Sequence, residues 1–166
     1  LRVMFPMISE PWEFDAARAV FEEQREFLRA RKRIILPEEI EYGAMIEVPG
    51  LVEVLDLLVP KVSFLSVGTN DLTQFLFAAD RANPKLAARY DWLSPAILRF
   101  LKRIVDATAG HQVRLGLCGE MGGRRLEALA LLGLGYRRLS ITPVSVGPIK
   151  ELIRQIDLDE VSSFMS

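Results

Sequence analysis

Short, largely apolar runs alternate with longer amphipathic segments along this chain. The run over residues 62–67 is apolar enough to leave no polar face toward solvent, which is typical of a strand covered on both sides. Four further runs of this kind are predicted to be strands: residues 2–7, 43–48, 113–117 and 138–141. The pattern thus predicts five strands.

Helical spacing of apolar residues fills the intervals between these strands. The first helix is predicted to have Pro11 in its first turn and to continue to about Arg33. Ser94 followed by Pro95 predicts the start of another helix, which continues to about Ala109. Further helices are predicted over residues 51–59, 72–79, 122–134 and 148–156, with a weak helical turn in the tail at 157–166.

Strict alternation of strands and helices favours parallel β/α units joined by right-handed crossovers. A (β/α)8 barrel takes about 250 residues, so each unit takes roughly 30 and a chain of 166 residues holds about five. Polar clusters follow the second, third and fourth strands rather than meeting at one crevice, which suits a barrel rim better than a small open sheet. We therefore predict an α/β fold, a partial (β/α)8 TIM barrel of about five parallel β/α units.

Composition narrows the classes of partner and compartment. Half of the residues are apolar and the formal net charge is -1, so we expect neither nucleic acid nor a membrane surface as partner. The single cysteine, Cys118, excludes an intrachain disulfide and favours a reducing cytoplasm. No apolar run reaches the roughly 18 residues that a membrane span needs.

Two carboxylates follow consecutive predicted strands. Glu47 ends the second strand and Asp71 follows the third, so both are expected at one edge of the sheet. Mg2+ keeps several waters and usually takes one or two protein carboxylates, so this pair predicts a Mg2+ site. Asn70 and nearby backbone N–H groups are candidates to hold the oxyanions of a ligand, and Arg81 is a candidate to bind a carboxylate or phosphate through two hydrogen bonds. Cys118 ends the next strand.

Each of these residues also has a structural interpretation. Glu47 is equally compatible with a partly exposed or ion-paired edge residue, and Cys118 with a small core residue. The segment 69–71 is compatible with a helix N-cap, and Arg81 with a solvated loop residue. His111, the only histidine, is predicted to lie in a surface turn. The functional interpretation gains weight because the candidates recur at the ends of successive strands.

Four motifs carry a resemblance to a known family. MIEVPG, FLSVGTNDLTQFLFAADRANP, SPAI and GLCGEMGG occur in this order. They resemble the phosphoenolpyruvate-binding barrel of enzyme I of the bacterial phosphotransferase system, the phosphoenolpyruvate-protein phosphotransferases, over essentially the whole chain. The ending LEALALLGLGYRRLSITPVSVGPIKELI resembles the nitrogen-regulatory branch more than the sugar-transport branch. Pyruvate phosphate dikinase and phosphoenolpyruvate synthase, in the wider superfamily, remain an alternative.

The resemblance implies a role for each candidate residue. Glu47 and Asp71 match the family's Mg2+ ligands, and Asn70 with the Asp71 backbone matches the group that holds the phosphate of phosphoenolpyruvate. Arg81 matches a substrate-binding arginine, and Cys118 matches the cysteine that protonates the enolate carbon. A thiol is mostly protonated at neutral pH, which suits a general acid. The implied cofactor is Mg2+, and the implied partners are phosphoenolpyruvate, a histidine-containing phosphocarrier protein and a second copy of the chain.

The resemblance also implies what lies outside residues 1–166. In the family, the phosphoryl group passes to a histidine in a glycine- and serine-containing signature on an amino-terminal domain, and nothing similar surrounds His111. The chain matches strands four to eight of the family barrel, so we expect the first three strands and the phosphohistidine and carrier-binding domains to lie before Leu1. We expect the fragment alone to bind phosphoenolpyruvate weakly and to transfer no phosphate. The alternative is a non-catalytic dimerisation or interaction module, because a half barrel has two unpaired sheet edges.

Overall fold

A computed structural model describes residues 1–32 and 37–165. Five strands form one sheet in the order β1-β2-β3-β4-β5, and every neighbouring pair is parallel. The strands are β1 (Arg2–Phe5), β2 (Glu41–Ile46), β3 (Phe64–Gly68), β4 (Arg114–Cys118) and β5 (Leu139–Ser140). The predicted α/β fold of five parallel β/α units is confirmed. β1 and β5 are the edges of the sheet, as in a barrel that is present in part.

Helices occupy the crossovers between the strands, as parallel pairing requires. They are α1 (Pro11–Lys32), α2 (Pro49–Glu53), α3 (Leu55–Leu58), α4 (Thr69–Phe77), α5 (Pro95–Thr108), α6 (Arg125–Leu134), α7 (Pro143–Gln155) and α8 (Leu158–Phe164). Three short 3-10 segments, Val59–Lys61, Pro84–Arg89 and Glu120–Gly123, lie between them. None of the described helices is long and apolar enough to cross a membrane.

Local signals define the ends of the best predicted helices. Ser94 caps α5, and its hydroxyl accepts a 3.5 Å hydrogen bond from the N–H of Ile97. Pro95, whose missing N–H costs nothing in the first turn, follows the cap. α6 ends where Gly135 adopts a left-handed conformation with φ of 110°. The predicted end of α1 at Arg33 lies outside the described residues.

Several helix boundaries differ from the predictions, among them that of α4, which begins at Thr69 rather than at Leu72 because Gly68 is its N-cap. α7 begins at Pro143 rather than at Pro148, because the earlier proline already occupies the first turn and the later one lies inside the helix. The predicted helix 51–59 is divided into α2, α3 and a 3-10 turn, because Val54 has non-helical ψ of 22°. The predicted helix 122–134 begins only at Arg125, after the 3-10 turn Glu120–Gly123. The helical turn predicted in the tail is present as α8, whose N-cap Asp157 accepts hydrogen bonds from two backbone N–H groups.

The core lies between the sheet and the helices that cover it. Its strand residues come mainly from the central strands β2 and β3, whereas β1 and β5 contain no buried residue. Examples from the sheet and from the helices, each at most 1% exposed, are Ile46, Leu65, Val67, Leu117, Leu55, Leu72, Ile104 and Leu131. This packing fixes the carboxyl ends of β2, β3 and β4 relative to one another.

Candidate functional site

The register of the sheet brings the carboxyl ends of neighbouring strands side by side, along what is here called the carboxyl edge of the sheet. Ile46 of β2 is paired with Val67 of β3, and Gly68 of β3 is paired with Cys118 of β4. Ser140 of β5 continues this row beside Cys118. The residues that follow these strands are therefore neighbours, at the edge where ligands bind in parallel α/β proteins.

Glu47 is a buried carboxylate directly after β2. Only 4% of the residue is exposed, and its Oε1 accepts a 2.7 Å hydrogen bond from the backbone N–H of Met7. A Cβ added to Gly68 would lie 2.9 Å from Oε2 of Glu47, so the carboxylate packs against the end of β3. The interpretation of Glu47 as a partly exposed edge residue is therefore wrong.

The first turn of α4 carries Asn70 and Asp71, and neither caps the helix. The N-cap is Gly68, and no side chain makes a capping hydrogen bond, so the interpretation of this segment as a helix cap is wrong. Oδ1 of Asn70 accepts the backbone N–H of Glu120 at 3.3 Å, across the sheet edge from β4. The amide NH2 of Asn70 is therefore left to donate hydrogen bonds to other groups.

Arg81 reaches back from the loop after α4 toward Asp71. Its Nη2 lies 3.7 Å from Oδ1 of Asp71, and 46% of the arginine side chain is exposed. The backbone N–H of Arg81 donates to Oε1 of Gln74 at 3.2 Å, which ties the loop to α4. Since the ion pair is longer than a hydrogen bond, the guanidinium keeps N–H donors for a ligand. Arg81 is thus partly exposed but not an unpaired loop cation.

Two cavities open beside Asn70 and Glu120, which line both of them. The smaller, of about 210 Å³, is also lined by Arg81, Tyr90 and Trp92. The larger, of about 510 Å³, extends to the loop after β5. Its hydroxyl groups come from Ser140, Thr142 and Ser145. A ligand held by Asn70 would therefore have polar groups on two sides.

Aromatic side chains form one wall of the smaller cavity. The hydroxyl of Tyr90 donates to the carbonyl of Ala79, and burial followed by the charge of Asp80 raises its pKa. The ring of Trp92 lies under the guanidinium of Arg124, at 5.3 Å from the ring centroid. Within the described part of the chain, the buried Nε1 of Trp92 has no hydrogen-bond partner. Tyr90 is therefore neutral at physiological pH, and Trp92 has a free donor.

Cys118 is a half-buried free thiol at the end of β4 rather than a core residue. Glu47, Asp71 and Cys118 line neither of the two cavities, so the predicted residues share one sheet edge but not one cavity. His111 lies in the exposed turn before β4, with its N–H donating to the carbonyl of Thr108 at 3.3 Å. Its predicted place in a surface turn is confirmed.

The donor set at this edge fits a hard cation with few protein ligands. Within residues 1–32 and 37–165, no group of three or more His, Cys, Asp or Glu side chains is arranged to hold a metal. Mg2+ requires no such group, because it is usually bound by one or two carboxylates together with waters and ligand oxygens. Glu47 and Asp71 supply two carboxylates. Oε2 of Glu47 lies against Gly68 at the end of β3, and Asp71 follows Gly68 by three residues. The residues present therefore fit Mg2+.

The sequence pattern indicates Thr69 only as part of a possible helix cap, and it indicates no binding or catalytic role for Gly119 or Trp92. The hydroxyl of Thr69 donates to the carbonyl of Cys118 at 3.0 Å, and Gly119 has φ of 116°. The spacing of apolar residues predicts neither this hydrogen bond nor this backbone conformation. The glycine after Cys118 was the one available signal, because a left-handed backbone conformation favours glycine.

Comparison with known proteins identifies relatives over nearly the whole chain. A family model described as "PEP-utilising enzyme, PEP-binding domain" matches residues 1–158. The chain is 36% identical over 162 residues to the phosphoenolpyruvate-protein phosphotransferase of Enterococcus faecalis, covering 98% of this chain and 28% of that protein. It is 40% identical over 163 residues to an Escherichia coli K12 protein named "Phosphoenolpyruvate-dependent phosphotransferase system", covering 98% and 22%. The chain thus spans less than a third of the curated relatives it matches.

A solved structure has a similar fold. The crystal structure of a citrate lyase from Burkholderia xenovorans superposes with a TM-score of 0.66 at 21% identity, covering 98% of this chain and 51% of that one. At this identity the likeness concerns the fold alone. It supports the assignment of the five β/α units to part of a barrel.

Proposed function

This chain belongs to the PEP-binding domain family of PEP-utilising enzymes, and from that membership we propose that it binds phosphoenolpyruvate at the carboxyl edge of its sheet. We propose that it is the carboxyl-terminal part of the barrel of a phosphoenolpyruvate-protein phosphotransferase. The observation that carries the proposal is the buried Glu47 carboxylate, packed against Gly68 beside the turn that bears Asn70 and Asp71. A buried carboxylate is retained at a cost in desolvation, which a bound cation offsets.

Mg2+ is the proposed cofactor, held by Glu47 and Asp71. Oε1 of Glu47 is engaged by the N–H of Met7, so Oε2 is the oxygen assigned to the cation. Asp71 is 36% exposed in its side chain, and its 3.7 Å ion pair with Arg81 is longer than a hydrogen bond, so its carboxylate is accessible to a cation. When bound, Mg2+ neutralises charge on the phosphate and enolate oxygens of the substrate.

The substrate is proposed to lie beside Asn70 and Arg81. The amide NH2 of Asn70 and the backbone N–H of Asp71 are donors for the phosphate, and they belong to the first turn of α4, where the helix dipole favours an anion. Arg81 adds a planar guanidinium that binds a carboxylate or phosphate through two hydrogen bonds. Both side chains line the cavity of about 210 Å³. Phosphoenolpyruvate carries both kinds of anionic group.

Cys118 is the proposed proton donor. Loss of the phosphoryl group leaves the enolate of pyruvate; the enolate's electron pair forms a C–H bond at the methylene carbon as the S–H bond of Cys118 breaks. The phosphoryl group is proposed to pass to a histidine on another domain of the full-length enzyme, and from there to a histidine-containing phosphocarrier protein. His111 is unsuited as acceptor because it precedes β4. It therefore lies at the amino ends of the strands, whereas Asn70 and Asp71 lie at the carboxyl ends.

The second candidate function is an interaction module that forms a homodimer. Its support is the pair of sheet edges at β1 and β5, whose backbone groups are a template for pairing with another chain. A dikinase or synthase relationship within the superfamily is a further alternative. A reducing cytoplasmic location and the nitrogen-regulatory branch remain proposals based on the single cysteine and the ending 126–153.

Calorimetric titration of phosphoenolpyruvate into the purified chain, with and without Mg2+, tests the proposal. We expect Mg2+-dependent heat that disappears in the Glu47→Ala, Asp71→Ala double variant. The matched control is Glu53→Ala, Asp56→Ala, which removes two exposed carboxylates elsewhere and is expected to keep the heat. The absence of heat from a folded chain would contradict binding by this chain. Sedimentation of the same samples tests the homodimer.

A further inference from the structure

A buried hydroxyl links the two turns to which the proposed function assigns substrate binding and proton donation. We infer that Thr69 is a positioning residue, which holds the turn bearing Cys118 against the turn bearing Asn70. This inference rests on the proposed function, because it concerns the separation between the proton donor and the phosphate-binding amide.

The first support is a direct hydrogen bond across the sheet edge. Thr69 is 1% exposed, and its Oγ1 donates to the carbonyl oxygen of Cys118 at 3.0 Å, although 49 residues separate the two in sequence. Thr69 is the first residue of α4, yet its hydroxyl does not serve the helix as a cap. Its hydroxyl is thus committed to β4 rather than to its own helix.

The second support is the close approach of Gly119. A Cβ added to Gly119 would lie 2.4 Å from Oγ1 of Thr69 and 3.2 Å from Oδ1 of Asn70. Gly119 also has φ of 116°, a backbone conformation that residues other than glycine rarely adopt. The backbone after Cys118 therefore passes against Thr69 at a distance that only glycine permits.

The third support is a second hydrogen bond, one residue further along the turn after β3 and two residues further along the turn after β4. Oδ1 of Asn70 accepts the N–H of Glu120 at 3.3 Å, next to the contact between Thr69 and Cys118. The two residues that follow β3 are thus both hydrogen-bonded to the chain at β4, one to its last residue and one to the turn after it. An error of about 1 Å in the position of a reacting group can cost a hundredfold in rate, so such a link is relevant to proton transfer.

Thr73 provides a matched control for a purely structural role. It is also 1% exposed and lies one helical turn after Thr69 on α4, but its Oγ1 has no hydrogen-bond partner among the residues that the structure describes. The same change, Thr→Val, therefore removes a cross-turn hydrogen bond at Thr69 and removes none at Thr73. A general effect of altering a buried threonine on α4 would appear in both variants.

The test measures alkylation of Cys118 by iodoacetamide, without ligand, across a range of pH. Cys118 is the only cysteine, so the reaction reports on this turn alone. We expect Thr69→Val to change the alkylation rate constant by about threefold to tenfold, the factor that corresponds to one hydrogen bond. Thr69→Ser, which keeps the hydroxyl, and Thr73→Val are expected to stay within about twofold of the original chain. Urea unfolding of each variant establishes that alkylation occurs in the folded state.

Equal alkylation rates in Thr69→Val and Thr73→Val would overturn the inference, as would a failure of Thr69→Ser to restore the original rate. If valine at position 69 prevents folding, the Thr69→Ala and Thr73→Ala pair is compared in the same way. Protection of Cys118 by phosphoenolpyruvate and Mg2+ is measured separately in the original chain. Absence of protection would count against the proposed function, whereas the ligand-free comparison decides the role of Thr69.

Discussion

The backbone N–H of Met7 donates a 2.7 Å hydrogen bond to Oε1 of Glu47 and so joins the chain beyond β1 to the end of β2. Met7 has φ of 55°, an uncommon backbone conformation for a residue other than glycine. The hydrogen bond to Glu47 helps to hold this conformation. One carboxylate oxygen of Glu47 therefore has a structural partner. The other lies at the end of β3, where the cation is proposed.

This division between two oxygens predicts different results for two substitutions at Glu47. Glu47→Gln keeps an oxygen that accepts the N–H of Met7, so its free energy of unfolding should stay close to that of the original chain. Glu47→Ala removes the acceptor and should lower the unfolding free energy by about 1 to 3 kcal/mol. Both should abolish the Mg2+-dependent heat of phosphoenolpyruvate binding. Equal stabilities of the two variants in urea would argue against the structural role of Oε1.

Gly68→Ala is predicted to weaken binding by displacing a neighbouring carboxylate. The added Cβ would lie 2.9 Å from Oε2 of Glu47 and 3.1 Å from Sδ of Met45, so these side chains must move. We expect Mg2+-dependent binding to fall by about tenfold or more and stability by about 1 to 3 kcal/mol. Gly116→Ala in β4 is the control, because its Cβ would make only ordinary contacts, the shortest at 3.6 Å to Arg138. Titration calorimetry that gives the same affinity for both variants would contradict the prediction.

The fold was predictable because its signals are local and repeated. Apolar runs of about five residues, separated by amphipathic segments, predict five strands irrespective of their partners. Helix starts were predicted well where one signal stood alone, as at Ser94, and poorly where two competed, as at Pro143 and Pro148. Prolines favour the first turn of a helix and are uncommon in its interior, so sequence alone does not decide which of the two begins α7.

The sequence predicts the positions of site residues only where they lie at the ends of predicted strands. Glu47 and Cys118 were expected at one edge because parallel strands end there, and the register confirms that edge. Sequence alone could not place the hydroxyl of Thr69 on the carbonyl of Cys118, since that contact depends on the register of strands 49 residues apart. Nor could it predict that Glu47 is buried, because carboxylates are rarely buried without a partner.

Arg81→Ala is predicted to weaken substrate binding with little effect on stability. Its ion pair with Asp71 is long and partly exposed, and such pairs contribute less than about 1 kcal/mol. Loss of a charged hydrogen-bond donor should reduce phosphoenolpyruvate affinity by about tenfold to a hundredfold. Arg103→Ala is the control, because Arg103 is similarly exposed and pairs with Glu53 at 2.6 Å. The two variants should unfold at similar urea concentrations, and a similar affinity in both would remove Arg81 from the site.

Gly133→Ala is predicted to loosen the carboxyl-terminal helix α8. An added Cβ at Gly133 in α6 would lie 2.5 Å from Cγ of Met165 and 3.1 Å from the carbonyl oxygen of Val161, so α8 must shift away. We expect a loss of about 1 to 3 kcal/mol in unfolding free energy and faster amide exchange in α8. Gly50→Ala has open space around its Cβ and should stabilise α2 by up to about 1 kcal/mol. Destabilisation of equal size in both variants would exclude close packing as the cause.

Tyr42→Phe is predicted to cost stability at neutral pH and less in acid. The hydroxyl of Tyr42 donates to Glu22, and this hydrogen bond is the main cause that holds the pKa of Glu22 below its ordinary value of 4.5. A carboxyl with a lowered pKa in the folded state contributes stability that is present above its unfolded pKa and is lost as pH falls through the folded pKa. The difference in unfolding free energy between the original chain and the variant should therefore shrink from about pH 7 to about pH 3.

Tyr136→Phe separates this effect from the general loss of a tyrosine hydroxyl. Tyr136 is 1% exposed, and its hydroxyl donates to the carbonyl of Leu101 at 3.1 Å. Burial raises the pKa of Tyr136, and a carbonyl does not titrate, so neither partner changes charge in acid. The cost of Tyr136→Phe, about 0.5 to 1.5 kcal/mol, should thus be constant across the range in which that of Tyr42→Phe declines. Urea unfolding at several pH values gives both costs, and a parallel pH dependence in the two variants would exclude Glu22 as the titrating partner.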